Sequence, residues 1–209
     1  PSRAAKSYAA VQRSVVRVRG RAGEQREDGY QTEGVGSGVV IVDTGIILTN
    51  LHVVSGADHV QVEFFDGFES EATVIGMRPE HDLAVLQAKQ LPDDLVTATM
   101  RSTSDLAPGD EVIAVGFPFG IGPSVSSGVV SGLQREYRSP QGKRQLTNLI
   151  QFDAAANPGR YGDEHHVAAL AGSMPILAPR RGLRIVARDN QPTEAAHQFG
   201  DERCVLRDR

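Results

Sequence analysis

The sequence predicts an all-β fold made of short strands. Runs rich in β-branched residues recur at roughly ten-residue spacing, with Gly, Asp and Pro between them, which is typical of a β-sandwich or barrel. From His59 to Phe64 apolar and polar residues alternate, as expected for a strand with one buried face. The predicted strands are 38–43, 45–50, 59–65, 69–77, 82–88, 111–117, 126–134, 146–153 and 183–187.

The segments between these strands divide the chain. Residues 1–33 are polar and mixed, and within them "YAAVQRSVVRVRG" predicts a short helix that leads into a strand. The charged, glycine-bounded stretch 23–34 predicts a loop, and 91–110, which lacks a strand pattern, predicts the connection between two halves. After Gly159 the sequence becomes rich in arginine, and residues 188–209 predict an irregular tail.

Composition limits the class of protein. The 209 residues are 40% hydrophobic and 23% charged, as in a globular protein, and the net charge of -4 predicts neither a nucleic-acid nor a membrane-surface partner. No apolar run approaches the roughly 20 residues of a membrane-spanning helix. The single Cys204 excludes an internal disulfide. Nothing near Pro1 resembles a signal peptide, so we expect a removed targeting segment or a fragment.

We predict no cofactor and no metal site. The stretch "DEHH" (163–166) contains residues that can bind metals, but no HExxH or other ligand spacing surrounds it, so we interpret it as a solvated polar loop. The stretch "GVGSG" (34–38) lacks the G-x-G-x-x-G spacing and opens no predicted helix, so a phosphate-binding role is not expected.

Two residues at the ends of predicted strands are candidates for catalysis. His52 follows the strand 45–50, and Asp82 begins the strand 82–88. Taken singly, a histidine is more often structural, and an aspartate in this place is more often a turn residue. A histidine at a strand end, an aspartate thirty residues later and a Gly-containing turn far downstream nevertheless follow the chain order of a trypsin-like triad. In such a triad the imidazole accepts the nucleophile's proton and the aspartate fixes the tautomer.

The sequence resembles the HtrA/Deg group of bacterial trypsin-like serine proteases. The matching segments, in the family's order, are "GVGSGVVI", "GIILTNLHVV", "HDLAVLQ", "GDEVIAVGFPFG", "VSSGVVSGL" and "IQFDAAANPG", within residues 14–159. The resemblance implies a trypsin-like double β-barrel with the active site between the barrels. It places the first barrel at 34–100 and the second at 101–187, and the second is expected to be incomplete where it diverges after residue 159.

The resemblance also implies roles for individual residues. His52 is the implied general base, Asp82 its orienting partner and Gly159 one position of the oxyanion hole. After this glycine the family continues with Asn-Ser-Gly-Gly-Pro, whose serine is the nucleophile, but here Tyr161 stands at the serine position. A phenol is bulkier, its usual pKa is about 10, and its oxygen lies farther from the backbone, so Tyr161 is not expected to replace the serine.

Two explanations of the missing serine stay open. Ser173 follows a glycine and precedes Pro-Ile-Leu, which weakly resembles the lost motif, although it lies twelve positions late. It is the candidate nucleophile that the sequence offers. The alternative, which we favour, is that residues 160–209 are out of frame or recombined, because the family resemblance stops within one residue.

By resemblance, the expected function is that of a serine endopeptidase of the HtrA type. Such an enzyme hydrolyses unfolded or misfolded polypeptide in the bacterial periplasm or cell envelope and needs no cofactor. The missing nucleophile motif favours two alternatives: an inactive pseudoprotease that binds peptide or an active partner protease, and a truncated or frameshifted product. The family often forms homotrimers and carries a C-terminal PDZ domain, so we expect a homotrimer, and we do not expect a PDZ domain within these 209 residues.

Overall fold

The computed structural model describes residues 1–25, 31–100, 103, 105–117, 122–138, 145–154, 176–179 and 183–186. Within these ranges the α-helices are α1 (Arg3–Val11) and α2 (Leu51–Val54), and 3-10 turns cover Gln12–Ser14 and Pro79–His81. The strands are β1 (Val15–Gln25), β2 (Gln31–Val42), β3 (Ile46–Asn50), β4 (His59–Glu63), β5 (Glu69–Arg78), β6 (Leu83–Ala88), β7 (Glu111–Gly116), β8 (Ser124–Arg138), β9 (Gln145–Phe152), β10 (Ile176–Pro179) and β11 (Leu183–Val186).

The first six strands form a closed antiparallel barrel in the order β1-β2-β3-β6-β5-β4. The barrel closes at β1, which pairs with β2 on one side and with β4 on the other. Val16 and Val18 of β1 are fully buried, whereas the alternating Arg17 and Arg19 face the other way and form ion pairs with Glu63 of β4. The buried interior consists of Val16, Val18, Val40, Ile47, Val53, Val54, Val60, Val62, Phe64, Ala72, Ala84, Leu86 and Ala88.

The remaining strands form a second sheet in the order β11-β10-β7-β8-β9. Its central strand, β7, is buried on both faces, which explains its continuous apolar sequence. Val112 and Ala114 pack in one cluster with Phe152 of β9. Ile113 and Val115 point the opposite way, into the contact with the first barrel.

A buried joint connects the two sheets. Helix α1, capped by Ser2, leads into a cluster in which Val11 and Val39 of β2 pack with residues of β7. The hydroxyl of Ser37 on β2 accepts a hydrogen bond of 2.8 Å from the backbone N–H of Phe117, which follows β7. The backbone carbonyl of Ser37 accepts a second bond of 2.8 Å from the hydroxyl of Thr49 on β3. Ser37 therefore links the second sheet to the strand that precedes His52.

The fold class predicted from the sequence is confirmed, with local corrections. Every strand predicted between residues 38 and 153 is present, and so is the helix before β1. The loop predicted at 23–34 is shorter, because β1 runs to Gln25 and β2 begins at Gln31, and the two arms pair there. Strand β10 was not predicted. In the described part of the chain the second unit is a five-stranded sheet, in agreement with an incomplete second barrel.

Two further findings concern the division into domains and the helices. The division into domains stays a prediction, although β1, which lies inside the predicted N-terminal segment 1–33, is a strand of the closed barrel. Neither helix in the described ranges has the length and apolar character needed to cross a membrane.

Candidate active site

His52 is held by a single helical turn at the end of β3. Asn50 has extended backbone angles (φ -78°, ψ 140°) and caps α2, so the chain changes direction directly before His52. The next two residues, Val53 and Val54, are buried in the core of the first barrel. Their burial fixes the turn, whereas the side chain of His52 remains 41% exposed at the barrel surface.

Asp82 is brought to His52 by the pairing of β3 with β6. The register places Asn50 opposite Leu83, so the residue before Leu83 lies beside the residues after Asn50. Asp82 ends the 3-10 turn and has left-handed backbone angles (φ 52°, ψ 39°). Aspartate tolerates this conformation better than most residues, and such backbone strain is often found at functional sites. The sequence prediction had made Asp82 the first residue of the strand, which instead begins at Leu83.

A compact set of hydrogen bonds joins Asp82 to the segment that contains His52. Oδ1 of Asp82 accepts the backbone N–H of His52 at 3.0 Å, and Oδ2 lies 2.6 Å from the imidazole Nδ1. The backbone carbonyl of Asp82 accepts the N–H of Leu51 at 2.9 Å and the side-chain amide of Asn50 at 3.3 Å. The two bonds to Oδ1 and Oδ2 satisfy a carboxyl group whose side chain is only 7% exposed, which would otherwise be costly to bury.

This geometry selects one tautomer of His52. An ionised carboxylate only accepts hydrogen bonds, so Nδ1 of the facing imidazole must carry the proton. The other ring nitrogen, Nε2, then keeps its lone pair and can accept a proton from a nucleophile. The arrangement is that of a general base with an orienting carboxylate.

The structure brings together two of the residues singled out in the sequence, His52 and Asp82. Gly159, Tyr161 and Ser173 lie outside the described residues, as does the "DEHH" stretch. The structure adds Asn50, whose amide donates to Asp82. An asparagine two residues before a histidine gave no signal of this contact in the sequence.

We found no cluster of three or more potential metal-ligating His, Cys, Asp or Glu residues in the part of the chain that the structure describes.

Comparison with known proteins identifies the family. A profile described as "Trypsin-like peptidase domain" matches residues 36–162, a range that contains both His52 and Asp82. A "Probable periplasmic serine protease do/HhoA-like" of Haemophilus influenzae is 39% identical over 141 residues, which are 67% of this chain and 30% of that protein. The "Periplasmic pH-dependent serine endoprotease DegQ" of Escherichia coli is 40% identical over 131 residues, which are 62% of this chain and 28% of that protein.

A solved structure with a similar fold is also an HtrA-type protease. "HtrA-type protease AlgW with tripeptide" superposes with a TM-score of 0.67 and 30% identity, covering 85% of this chain and 51% of that one. The chain thus spans about half, or less, of the length of these proteins. The family profile, the relatives and the shared fold agree with one another, and the chain belongs to the trypsin-like peptidase domain family as an HtrA-type member.

Proposed function

We propose that this chain functions as an HtrA-type serine endopeptidase domain, with His52 as the general base and Asp82 as its orienting carboxylate. The observation that carries the proposal is the 2.6 Å contact between Nδ1 of His52 and Oδ2 of Asp82, reinforced by the bond from the His52 backbone N–H. The half-exposed imidazole stands at the surface of the barrel, where a substrate can reach it.

The proposed reaction follows from this arrangement. Nε2 of His52 removes the proton from a hydroxyl of the chain, whose oxygen then attacks the peptide carbonyl carbon. The imidazolium returns the proton to the departing amine as the peptide bond breaks, which leaves an acyl-enzyme that water hydrolyses. Asp82 stabilises the imidazolium and keeps the ring oriented. Gly159 is the proposed donor of one oxyanion-hole N–H, on the family resemblance.

The substrate class is a polypeptide. Relatives of this chain are named as serine endoproteases, and the HtrA-type protease AlgW has been solved with a tripeptide. We extend this class of substrate to the present chain, together with a periplasmic or envelope location, since several relatives are named as periplasmic. The homotrimer predicted from the resemblance is kept as part of the proposal. Its test is the molar mass of the protein in solution.

A second function is favoured by one observation in the sequence. Tyr161 occupies the position of the family's nucleophilic serine, so the chain can also be a relative that binds extended peptide without hydrolysing it. The two functions share the scaffold and differ in whether a hydroxyl group can reach His52.

Labelling with a fluorophosphonate separates these functions, because the reagent phosphonylates an activated serine with loss of fluoride. The peptidase proposal predicts that the wild-type protein is labelled and that His52→Ala abolishes the labelling. Ser173→Ala tests the candidate nucleophile, and labelling that survives this change would exclude Ser173. A wild-type protein that is folded but unlabelled, and that binds unfolded casein equally well with and without His52, would overturn the peptidase proposal in favour of the binding function.

A further inference from the structure

The turn that holds His52 lies unusually close to strands β1 and β2. A Cβ atom added to Gly20 of β1 would lie 2.5 Å from the carbonyl oxygen of Val53, and one added to Gly34 of β2 would lie closer still to the same oxygen. A Cβ atom on Gly36 would lie 2.5 Å from Cγ2 of Val53. Real Cβ atoms do not approach other atoms so closely, so a side chain at any of these positions would displace its neighbour.

Backbone conformation does not explain these three glycines. The described glycines with positive φ are others, namely Gly45, Gly56, Gly67, Gly109 and Gly122. Gly20, Gly34 and Gly36 therefore have backbone angles in which an alanine would not be strained, and what they provide is space.

The register places the three glycines on one surface under α2. Gly20 and Gly34 are direct cross-strand partners in the β1–β2 ladder. Gly36 lies two residues beyond Gly34 and so points to the same face of β2. Val53, which contacts this surface, is the residue directly after His52.

The close approach bears directly on the geometry of the candidate general base. Restoring ordinary van der Waals contact above an added methyl group would move Val53 by roughly 1 Å, since Cβ contacts below about 3.4 Å are uncommon. His52 is held to Asp82 at 3.0 Å through its backbone and at 2.6 Å through its ring, and lengthening either contact by about 1 Å would take it beyond the usual range of a hydrogen bond. A shift of about 1 Å at an active site can reduce the rate on the order of 10²-fold.

We propose that Gly20, Gly34 and Gly36 are positioning residues for His52: they let α2 approach the strands closely enough for the imidazole to meet Asp82. The catalytic consequence rests on the proposed peptidase function. The hydrogen bond between His52 and Asp82 does not, so the inference can be tested even in a chain that lacks a nucleophile.

The experiment follows the Nδ1 proton of His52 by NMR in protein labelled with ¹⁵N-histidine. A proton shared with a carboxylate gives a strongly downfield signal, and its loss in His52→Ala assigns it. We expect Gly20→Ala and Gly34→Ala to lose this signal or to shift it upfield. If the wild-type protein is labelled by the fluorophosphonate, the Gly34→Ala variant should be labelled more slowly, on the order of 10²-fold.

Gly38→Ala is the matched control for general destabilisation. A Cβ atom on Gly38 would lie 2.8 Å from Cγ2 of Ile47 and 2.9 Å from Cγ2 of Val18, so the crowding is similar and lies on the same strand. These contacts are with core side chains and not with α2. We expect Gly38→Ala to lower the melting temperature and to retain the His52 signal.

A double substitution gives a second test that does not depend on whether the Gly34 variant folds. The obstacle at Gly36 is the side chain of Val53, whereas the obstacle at Gly20 and Gly34 is its backbone carbonyl. Val53→Ala should therefore restore the signal lost in Gly36→Ala and should not restore it in Gly20→Ala.

The possible outcomes are distinct. A folded Gly36→Ala protein with an unchanged signal, or a Gly38→Ala protein that loses the signal as completely as Gly36→Ala, would overturn the inference. A wild-type protein that is not labelled by the fluorophosphonate, yet loses the Nδ1 signal in the Gly36 variant and regains it with Val53→Ala, would overturn only the peptidase function.

Discussion

The first barrel and the second sheet differ in how complete their strand pairing is. In the barrel each of the six strands has a neighbour on both sides, whereas β9 and β11 of the second sheet each have one neighbour within the described residues. The hydrogen bonds described above that hold His52 lie inside the barrel, between residues 50–52 and Asp82. The contact between His52 and Asp82 is thus built by elements of the closed barrel.

In the proposed peptidase, the nucleophile would come from the part of the sequence beyond β9. The family places its serine a few residues beyond β9, where the present sequence has Tyr161. In this proposal the acid–base pair and the nucleophile lie in different parts of the sequence, so a chain can keep the first without the second. This difference between the two units predicts that substitutions in the barrel and substitutions in the second sheet have separable effects on activity and stability.

The largest expected effect comes from Asp82→Asn. The change leaves the shape of the side chain nearly intact but allows the wrong imidazole tautomer, which in trypsin-type triads lowers the rate on the order of 10⁴-fold. The measurement is the rate of fluorophosphonate labelling. Asp110→Asn, a change at a buried aspartate next to the second sheet, is the control, and we expect its rate to stay within severalfold of wild type. Equal losses in both variants would contradict the assignment of Asp82.

A pair of core substitutions compares the stability of the two units. Leu86 of β6 and Leu149 of β9 are both almost fully buried, so Leu→Ala at either site should lower the free energy of unfolding by about 2–5 kcal/mol. Amide hydrogen exchange distinguishes the two variants. We expect Leu86→Ala to reduce protection in β3 and β6, and Leu149→Ala to leave it unchanged. Equal loss of protection in β3 and β6 from both variants would show that the units unfold as one.

Ser37→Ala tests the joint between the units. The change leaves the buried N–H of Phe117 without its acceptor, which should cost about 1–3 kcal/mol in the free energy of unfolding. Ser70→Ala is the matched control, since its hydroxyl also accepts a backbone N–H but bonds entirely within the first barrel. Faster amide exchange in β7 is expected for Ser37→Ala only, and the same acceleration in both variants would contradict a special role of Ser37.

The smallest effect is expected on the outer surface of the barrel. The hydrogen bond from Lys89, and secondarily its charge, lowers the pKa of the exposed Glu71 below its usual value. Because the folded-state pKa is depressed, the pair stabilises the fold above the unfolded-state pKa of about 4.3 and ceases to do so as the pH falls through the folded-state pKa.

Lys89→Met should therefore lower the urea midpoint slightly at pH 7, and the difference from wild type should vanish at strongly acidic pH. Lys6→Met, which removes an exposed lysine of α1, is the control for the loss of one positive charge. A difference in urea midpoint that grows on acidification would show that the contribution of the Lys89–Glu71 pair to stability changes with pH in the opposite direction.

Much of the fold was predictable because local sequence patterns decide it. Alternating runs such as His59–Glu63 have one buried face, and the continuous apolar run of β7 is buried on both. The sequence predicts a loop where β1 and β2 pair near Gln25 and Gln31, because the strand character of these residues comes from pairing with each other and not from composition. The sequence does not predict strand β10, because its four residues show no alternation of apolar and polar side chains.

The site was predictable only in part. The spacing of His52 and Asp82 in the chain was informative because the family preserves their order, and the structure shows them in contact. The amide of Asn50 and the close approach of Gly34 to Val53 arise from strands that are distant in sequence. Such contacts leave no local pattern, so they could be found only once the register of β1 with β2 and of β3 with β6 was known.

The closed barrel has a consequence for how the protein folds while it is being synthesised. Its six strands occupy one continuous stretch, from Val15 to Ala88, and no strand from later in the chain is needed to complete it. Since domains commonly fold from the N-terminus while translation proceeds, the barrel can close before the second sheet has left the ribosome. A change of reading frame near residue 160 would then act on a nascent chain in which the first barrel has already closed.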